Sequence, residues 1–385
     1  MNIVKKYWFS FLFVVGLCLP LYGGVLEEGV ELSGVSAPLN KVVATFESCG
    51  DGSYQNYLSS TWENDFPGRK ICLKLRNQIL YSVFSVSPNS NVVIGKDEQL
   101  FEPSYILLET QAMAPQSEEY FEGLGEKLKK LDALLKKSQK ELYVFITPSK
   151  AHFYYEYIPD KYLFMSNKEQ YNYTNYSQLL ETLNESEIAY FDSVEYMEMN
   201  RNTSTIKSPL FFRTGIHWSN AWGKRAAAEF LNYMNTSSKY DLSTVRVTEI
   251  ESDIPVAPDT DLYSSLNLIV QPKDNWYATH MVIDDEGADK PNVFFRGGSF
   301  MFQSLNALVA TGVFGKDVHL GNNKYFLNRY TESYTLSDYT AYDEMDLDTL
   351  MGQSDILILE VNEGMIHNMS FGFIDYLLEH EEYLD

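Results

Sequence analysis

The stretch VFFRGGSFMFQSLNALVA, residues 293–310, decides how the rest of the chain is read. Val293 to Phe295 predict a short buried strand, Gly297 and Gly298 permit a sharp turn, and residues 300–311 predict a helix. A strand that turns over glycines into a helix is the repeating step of an α/β sheet. The step leaves Ser299 at the turn. A serine there is either an ordinary helix cap or a hydroxyl placed where helix and backbone N–H groups favour developing negative charge.

Outward from this stretch the same alternation recurs. Residues 117–138 predict an amphipathic helix with Leu124, Leu128, Leu131 and Leu135 on one face. Leu142 to Ile146 predict a strand that ends at Thr147-Pro148-Ser149-Lys150, and a helix over 175–184 precedes a strand from Ile188 to Phe191. Asn220 to Tyr233 predict a helix with Ser219 as its N-cap. Asp317 to Leu320 and Ile356 to Val361, the latter interrupted only by Glu360, predict two more strands, and a last helix is expected over 370–380. The implied fold class is α/β, a mostly parallel sheet flanked by helices.

Upstream, residues 41–110 predict a small lead-in packed on the core. It holds a strand from Val42 to Phe46, a turn at Asp51-Gly52-Ser53 and a helix over 68–84 carrying Ile71, Leu75 and Ile79. A hairpin follows, with Val92 to Ile94 and Leu100-Phe101 around Gly95-Lys96-Asp97. The expected plan is a signal or anchor over 1–24, a linker over 25–40, the lead-in over 41–110 and the α/β domain over 111–385.

Charge and cysteine content narrow the function. Asp and Glu outnumber Lys and Arg by 53 to 30, a net charge of −23, which argues against a nucleic-acid partner because phosphate binding relies on clustered cations. Lys5 and Lys6 precede an apolar run from Tyr7 to Tyr22, with Gly23-Gly24 as small residues for cleavage. That is the pattern of an export signal, with an uncleaved membrane anchor as the alternative. Cys49 and Cys72, beyond that segment, are expected to form a disulfide in an oxidising compartment. No CxxC or Cys/His grouping points to a structural metal.

A second segment mirrors the first. Phe211-Phe212-Arg213-Thr214-Gly215-Ile216-His217-Trp218 offers a histidine just before a helix. A hydroxyl becomes a useful nucleophile when a base takes its proton, so Ser299 and His217 are the minimum apparatus for acyl transfer. Arg213 and Arg296, each after a Phe-Phe pair, could bind an anionic group or pair with acids. Glycosidase chemistry by paired carboxylates is a further option for so acidic a chain, although no pair stands out.

Taken in order, these segments resemble the DHHW family and the related alginate O-acetyltransferases. That family carries Asp-x-His-Trp early and Gly-Asp-Ser-Phe late; here Gly215-Ile216-His217-Trp218 and Gly297-Gly298-Ser299-Phe300 stand at those places. Gly52-Ser53-Tyr54-Gln55, Phe66-Pro67-Gly68-Arg69, Pro148-Ser149-Lys150 and Asp355 to Glu363 extend the resemblance over roughly 45–365. It implies an SGNH-hydrolase-like fold with permuted motif order. It also implies an extracytoplasmic O-acetyltransferase or acetylesterase acting on a polysaccharide. Ser299 would take the acyl group and His217 move the proton, with Trp218, Arg213 and Arg296 toward the substrate. No metal or soluble cofactor is implied, and the acetyl donor would arrive through a membrane-bound O-acyltransferase partner.

Two departures stand out. Gly215 and Gly298 occupy the places of the family aspartates. The first aspartate would orient the histidine, so Asp192 and Glu360 are candidates to replace it, and Gly215→Asp is expected to raise any residual rate. The alternative is a catalytically degenerate member that binds glycan or scaffolds an export complex.

Overall fold

In this computed structural model the described residues are 7–8, 10–11, 13–14, 29–34, 41–202, 206–315, 318–322, 326–330, 334–339 and 346–384. The chain forms two compact units, one of Met1–Ile94 with Leu262–Lys273, the other of Gly95–Asp261 with Asp274–Asp385.

The first unit is helical. Helices Phe46–Gly50, Ser53–Asp65 and Arg69–Phe84 follow one another. The strand expected over Val42 to Phe46 is absent. Thr45 instead caps the first helix, its Oγ accepting from Ser48 N–H at 3.0 Å while Ser48 Oγ accepts from Thr45 N–H at 2.9 Å, and this local box overrides the β-branched run. Segment 262–273 is stitched to the long helix: Asn77 Nδ2 donates to Leu266 O at 2.9 Å, and Gln78 Oε1 accepts from Ile269 and Val270 N–H. Cys49 and Cys72, expected as a disulfide, are both free and exposed, each on its own helix. The expected leader falls largely outside the described residues. Among the described residues no helix is long and apolar enough to cross a membrane.

The second unit carries the sheet. Strand β1 (Val93–Ile94) ends the main segment of the first unit, and β2 (Leu100–Phe101) is the first strand of the second. Then come β3 (Glu141–Thr147), β4 (Tyr190–Asp192), β5 (Thr244–Ser252), β6 (Trp276–Asp285), β7 (Val293–Gly297), β8 (Val318–Asn322), β9 (Phe326–Tyr330), β10 (Tyr334–Tyr339) and β11 (Ile356–Asn362). The main sheet runs β10-β9-β8-β7-β11-β3-β4, with β4, β3, β11, β7 and β8 parallel and β9 and β10 antiparallel at one edge. Asp317 lies outside the described residues.

The parallel strands are buried throughout β7 and β11, as their continuous apolar runs require. Helices flank them. Glu118–Lys137 buries the expected leucine stripe and packs with Asn175–Glu185 and Phe373–Glu379, while Asn220–Ser237 packs with Leu305–Thr311. Tyr143 and Phe145, two apart on β3, both meet Phe230 of the helix Asn220–Ser237, with ring centroids 6.0 and 5.0 Å away. The antiparallel pair β5–β6 was not anticipated from the sequence. The register aligns the carboxyl ends of β3, β7 and β11, where α/β sheets bind ligands.

Candidate active site

The histidine loop is a closed staple. Phe211 bridges Trp218, and Ser219 N–H donates to Leu210 O at 2.9 Å, so residues 211–218 loop out and return. Lys150, which opens the short helix that follows β3, threads this loop. Its Nζ donates to Phe212 O at 2.8 Å, Arg213 O at 3.1 Å and Gly215 O at 2.8 Å. Burial pushes the lysine's pKa down. Three carbonyl acceptors nevertheless use all three ammonium protons, and that demand holds Lys150 charged.

The loop also docks on segment 257–261. Thr214 Oγ donates to Asp259 O at 2.6 Å, and Ile216 N–H donates to Asp261 Oδ1 at 2.9 Å. Gly215 fits closely there: a Cβ would sit 3.0 Å from Asp259 O and 3.2 Å from Pro258 O, tight enough that those carbonyls would have to give by a few tenths of an ångström. The other oxygen of Asp261, Oδ2, lies 2.5 Å from His217 Nδ1. On the far side of the ring, His217 Nε2 is 2.8 Å from Ser299 Oγ. The His217 ring also leans on Phe300, with centroids 4.6 Å apart.

The serine loop is held differently. Ser299 opens a single-turn 3-10 helix, Ser299–Gln303, at the end of β7. The preceding peptide is pinned by Glu360 of β11, whose Oε2 accepts from Gly298 N–H at 2.6 Å and whose Oε1 accepts from Thr147 Oγ at 2.5 Å. Burial pushes the Glu360 carboxyl up to about 7, against the pull of these two donors. Gly297 makes room for that carboxylate, since a Cβ would fall 2.5 Å from Glu360 Oε2. Gly297 and Gly298 both avoid the left-handed region, so the turn depends on close approach rather than unusual backbone angles.

A cavity of about 170 Å³ opens beside the serine, lined by Ser299, Phe300, Val361, Met365, Phe371 and Tyr105 among others. Burial, reinforced by Glu102, Glu360 and Asp261, holds the Tyr105 phenol well above its usual range, so it remains protonated.

The structure therefore brings His217 and Ser299 together across 82 positions of sequence. It does not bring the three expected substrate contacts to them. Trp218 is fully buried and donates from Nε1 to Phe300 O at 3.0 Å, which ties the two loops to each other. Arg296 is also buried; its Nε donates to Ser370 O at 3.4 Å, and its guanidinium lies over the Phe371 and Phe373 rings. Arg213 pairs with Glu98 and Asp274, each at 2.9 Å. These side chains serve the framework because each is already committed to protein groups. Of the replacement acids, Asp192 caps the helix Ser193–Asn200 and accepts from Tyr176 OH at 2.5 Å. Glu360 holds backbone at the serine loop. Neither is hydrogen-bonded to the histidine, and Asp261 is. Its neighbourhood, Pro258-Asp259-Thr260-Asp261, offered only an acidic turn, with nothing to distinguish Asp261 from Asp259.

A family model described as SGNH hydrolase-like domain, acetyltransferase AlgX, matches residues 92–287, about half of the chain. The match takes in the histidine loop and Asp261 and ends before Ser299. Similar solved structures include the O-acetyltransferase domain of Pseudomonas putida AlgJ, at 15% identity and TM-score 0.47, covering 75% of this chain and 99% of that one. Pseudomonas aeruginosa AlgX is similar at 13% identity and TM-score 0.43, covering 74% of this chain and 66% of that one. Bacillus cereus PatB1 with a sulfonyl adduct is similar at 9% identity and TM-score 0.43, covering 71% and 97%. No curated protein matches the sequence. With a matched domain that spans half of its length, the chain belongs to the SGNH hydrolase-like acetyltransferase family of AlgX.

Proposed function

We propose that this protein is an extracytoplasmic O-acyltransferase or esterase that moves an acetyl group to or from a polysaccharide hydroxyl through Ser299, His217 and Asp261. The observation that carries this reading is the unbroken series Ser299 Oγ–His217 Nε2 at 2.8 Å and His217 Nδ1–Asp261 Oδ2 at 2.5 Å. Such a series fixes the imidazole tautomer. Nδ1–H points at the carboxylate, which leaves the Nε2 lone pair to accept the serine proton.

As Ser299 Oγ attacks the acyl carbonyl, its proton passes to Nε2, and Asp261 stabilises the imidazolium that forms. The imidazolium then protonates the leaving oxygen, and an acyl-serine remains. A sugar hydroxyl or water repeats the sequence in reverse, giving its proton to Nε2 and taking the acyl group. The transient oxyanion needs donors. Gly298 N–H is already given to Glu360. The donors are therefore drawn from the first N–H groups of the Ser299–Gln303 turn, which lack intrahelical acceptors. The apolar cavity beside Ser299 suits a short acyl group.

The charged start and apolar run of residues 5–22 support export, and an acetyl donor outside the cytoplasm would come through a membrane-bound O-acyltransferase partner. The test is release of p-nitrophenol from p-nitrophenyl acetate. The intact protein should turn it over, and Ser299→Ala should lower kcat by several orders of magnitude, about 10⁶-fold where a triad nucleophile is removed, leaving only what binding and oxyanion donors supply. Equal rates for both proteins would refute the acyl-serine and favour a glycan-binding member without turnover.

A further inference from the structure

A second cavity, of about 250 Å³, lies beside the one at Ser299. Tyr105 lines both, and the chain passes directly from Asn362 at the first to Glu363 and Gly364 at the second. Two residues of its wall each carry a buried polar atom without a hydrogen bond: Ser149 Oγ, in a residue 3 % exposed, and Gln111 Oε1, in a residue 4 % exposed. Gln111 is held in place by its other amide atom, Nε2, which donates to Tyr173 O at 2.7 Å. Ser149 is held by its backbone N–H, which donates to Glu363 Oε2 at 2.7 Å.

We propose that this cavity is a subsite for a neutral, hydroxyl-rich ring of the acceptor polysaccharide, the unit next to the one acylated at Ser299. It rests on the acyl-transfer reading above. Ring hydroxyls both donate and accept, which is what an unpaired serine hydroxyl and an unpaired amide oxygen together require. Leaving such groups buried and unmet is costly, and a bound hydroxyl removes that cost. The apolar part of the wall comes from Tyr105, Tyr176 and Met113, surface for the C–H face of a sugar.

The charges on the wall select against a carboxylate-bearing ring. His152 is the one cationic side chain among the lining residues, and its Nδ1 is 2.7 Å from the buried Glu363 carboxylate. Glu109, also on the wall, pairs with Lys168 at 2.6 Å. Among the described lining residues no cation without a carboxylate partner is left to meet a uronate, whereas a neutral ring needs none.

Binding can be measured without turnover on Ser299→Ala protein, by calorimetric titration with cellotetraose, tetra-N-acetylchitotetraose and a tetramer of mannuronate. At least one neutral tetramer should bind more tightly than the uronate. Adding Ser149→Ala, which removes only an unpaired hydroxyl, should weaken that affinity about tenfold, the size of one hydrogen bond. Adding Met113→Trp at the half-exposed rim should abolish it, with thermal melting unchanged in both. Absence of binding by both neutral tetramers, indifference to both substitutions, or tighter binding of the uronate would each overturn the proposal. An inert Ser299 would leave this measurement standing, and a failed titration would leave ester cleavage standing.

Discussion

The histidine loop and the serine loop each lack the aspartate that their family motif carries, and each receives a carboxylate from elsewhere. At His217 the substitute is Asp261, which touches the imidazole itself. At Ser299 the substitute is Glu360, which touches only the Gly298 peptide and Thr147. One carboxylate meets the imidazole, and the other holds the backbone that presents the serine. The same sequence change, Asp to Gly, thus has two structural meanings, and only the three-dimensional neighbourhood of each glycine separates them.

The sharpest way to break this distinction is to neutralise the first carboxylate without changing its size. Asp261→Asn should lower kcat by about 10⁴-fold, as the equivalent change does in a serine-protease triad, because an amide can present the wrong partner to Nδ1 and favour the wrong tautomer. Ile216 N–H also relies on Asp261 Oδ1, so some loss of loop order accompanies it. Esterase assays across pH, with a melting curve as control, separate the two effects. A loss of less than about tenfold would mean that the imidazole is oriented by something other than Asp261.

Restoring the family residue provides the next test. From sequence alone, Gly215→Asp is expected to help. The structure reverses that sign. Asp261 already fills the position beside Nδ1, and a Cβ at 215 would sit 3.0 Å from Asp259 O, so that carbonyl must give by a few tenths of an ångström. A displacement of about 1 Å costs on the order of 10²-fold in rate, and a shift of a few tenths correspondingly less. Gly215→Asp should therefore slow ester cleavage by about tenfold and lower the melting temperature. A faster enzyme would return the orienting role to position 215.

Much of the fold was legible because periodicity carried it. The leucine stripe of Glu118–Lys137, the apolar runs of β3 and β11, and the Ser219 cap all follow from residues close in sequence. The pairing of His217 with Ser299 was legible through two quoted motifs. What stayed hidden is what long-range packing decides. Asp261 reaches His217 across 44 positions through a turn with no period of its own. Trp218 and Arg296 look like substrate contacts in one dimension, yet burial turns both into framework. The strand expected before Phe46 gave way to a capping box that β-propensity does not register.

Glu360→Gln sharpens the comparison from the other side. The amide oxygen can keep Gly298 N–H, but its NH2 must then face Thr147 Oγ and reverse that hydrogen bond, which disturbs the Thr147 contacts and loosens the serine turn. The expected loss in kcat is about tenfold, the price of one misplaced donor rather than of a reacting group. A loss equal to that of Asp261→Asn would erase the distinction between the two carboxylates and make Glu360 a participant.

The smallest expected effect concerns stability. Asp259, whose carbonyl anchors Thr214, has a carboxyl that burial pushes up to about 7. Glu360 is raised to a similar value by burial. Both folded values lie above the ordinary ones, so folding favours the protonated form. Their contribution is fully present below about pH 4 and is lost progressively as the pH rises through about 7. Asp259→Asn keeps the shape and cannot ionise. It should flatten the fall in melting temperature between those pH values while leaving ester cleavage within about threefold of the original, because its side chain makes no contact in the Ser299–His217–Asp261 series. A pH profile of melting that is unchanged by Asp259→Asn would place the titration elsewhere. A large loss of activity would show that the support of the histidine loop depends on this carboxyl as well as on its backbone.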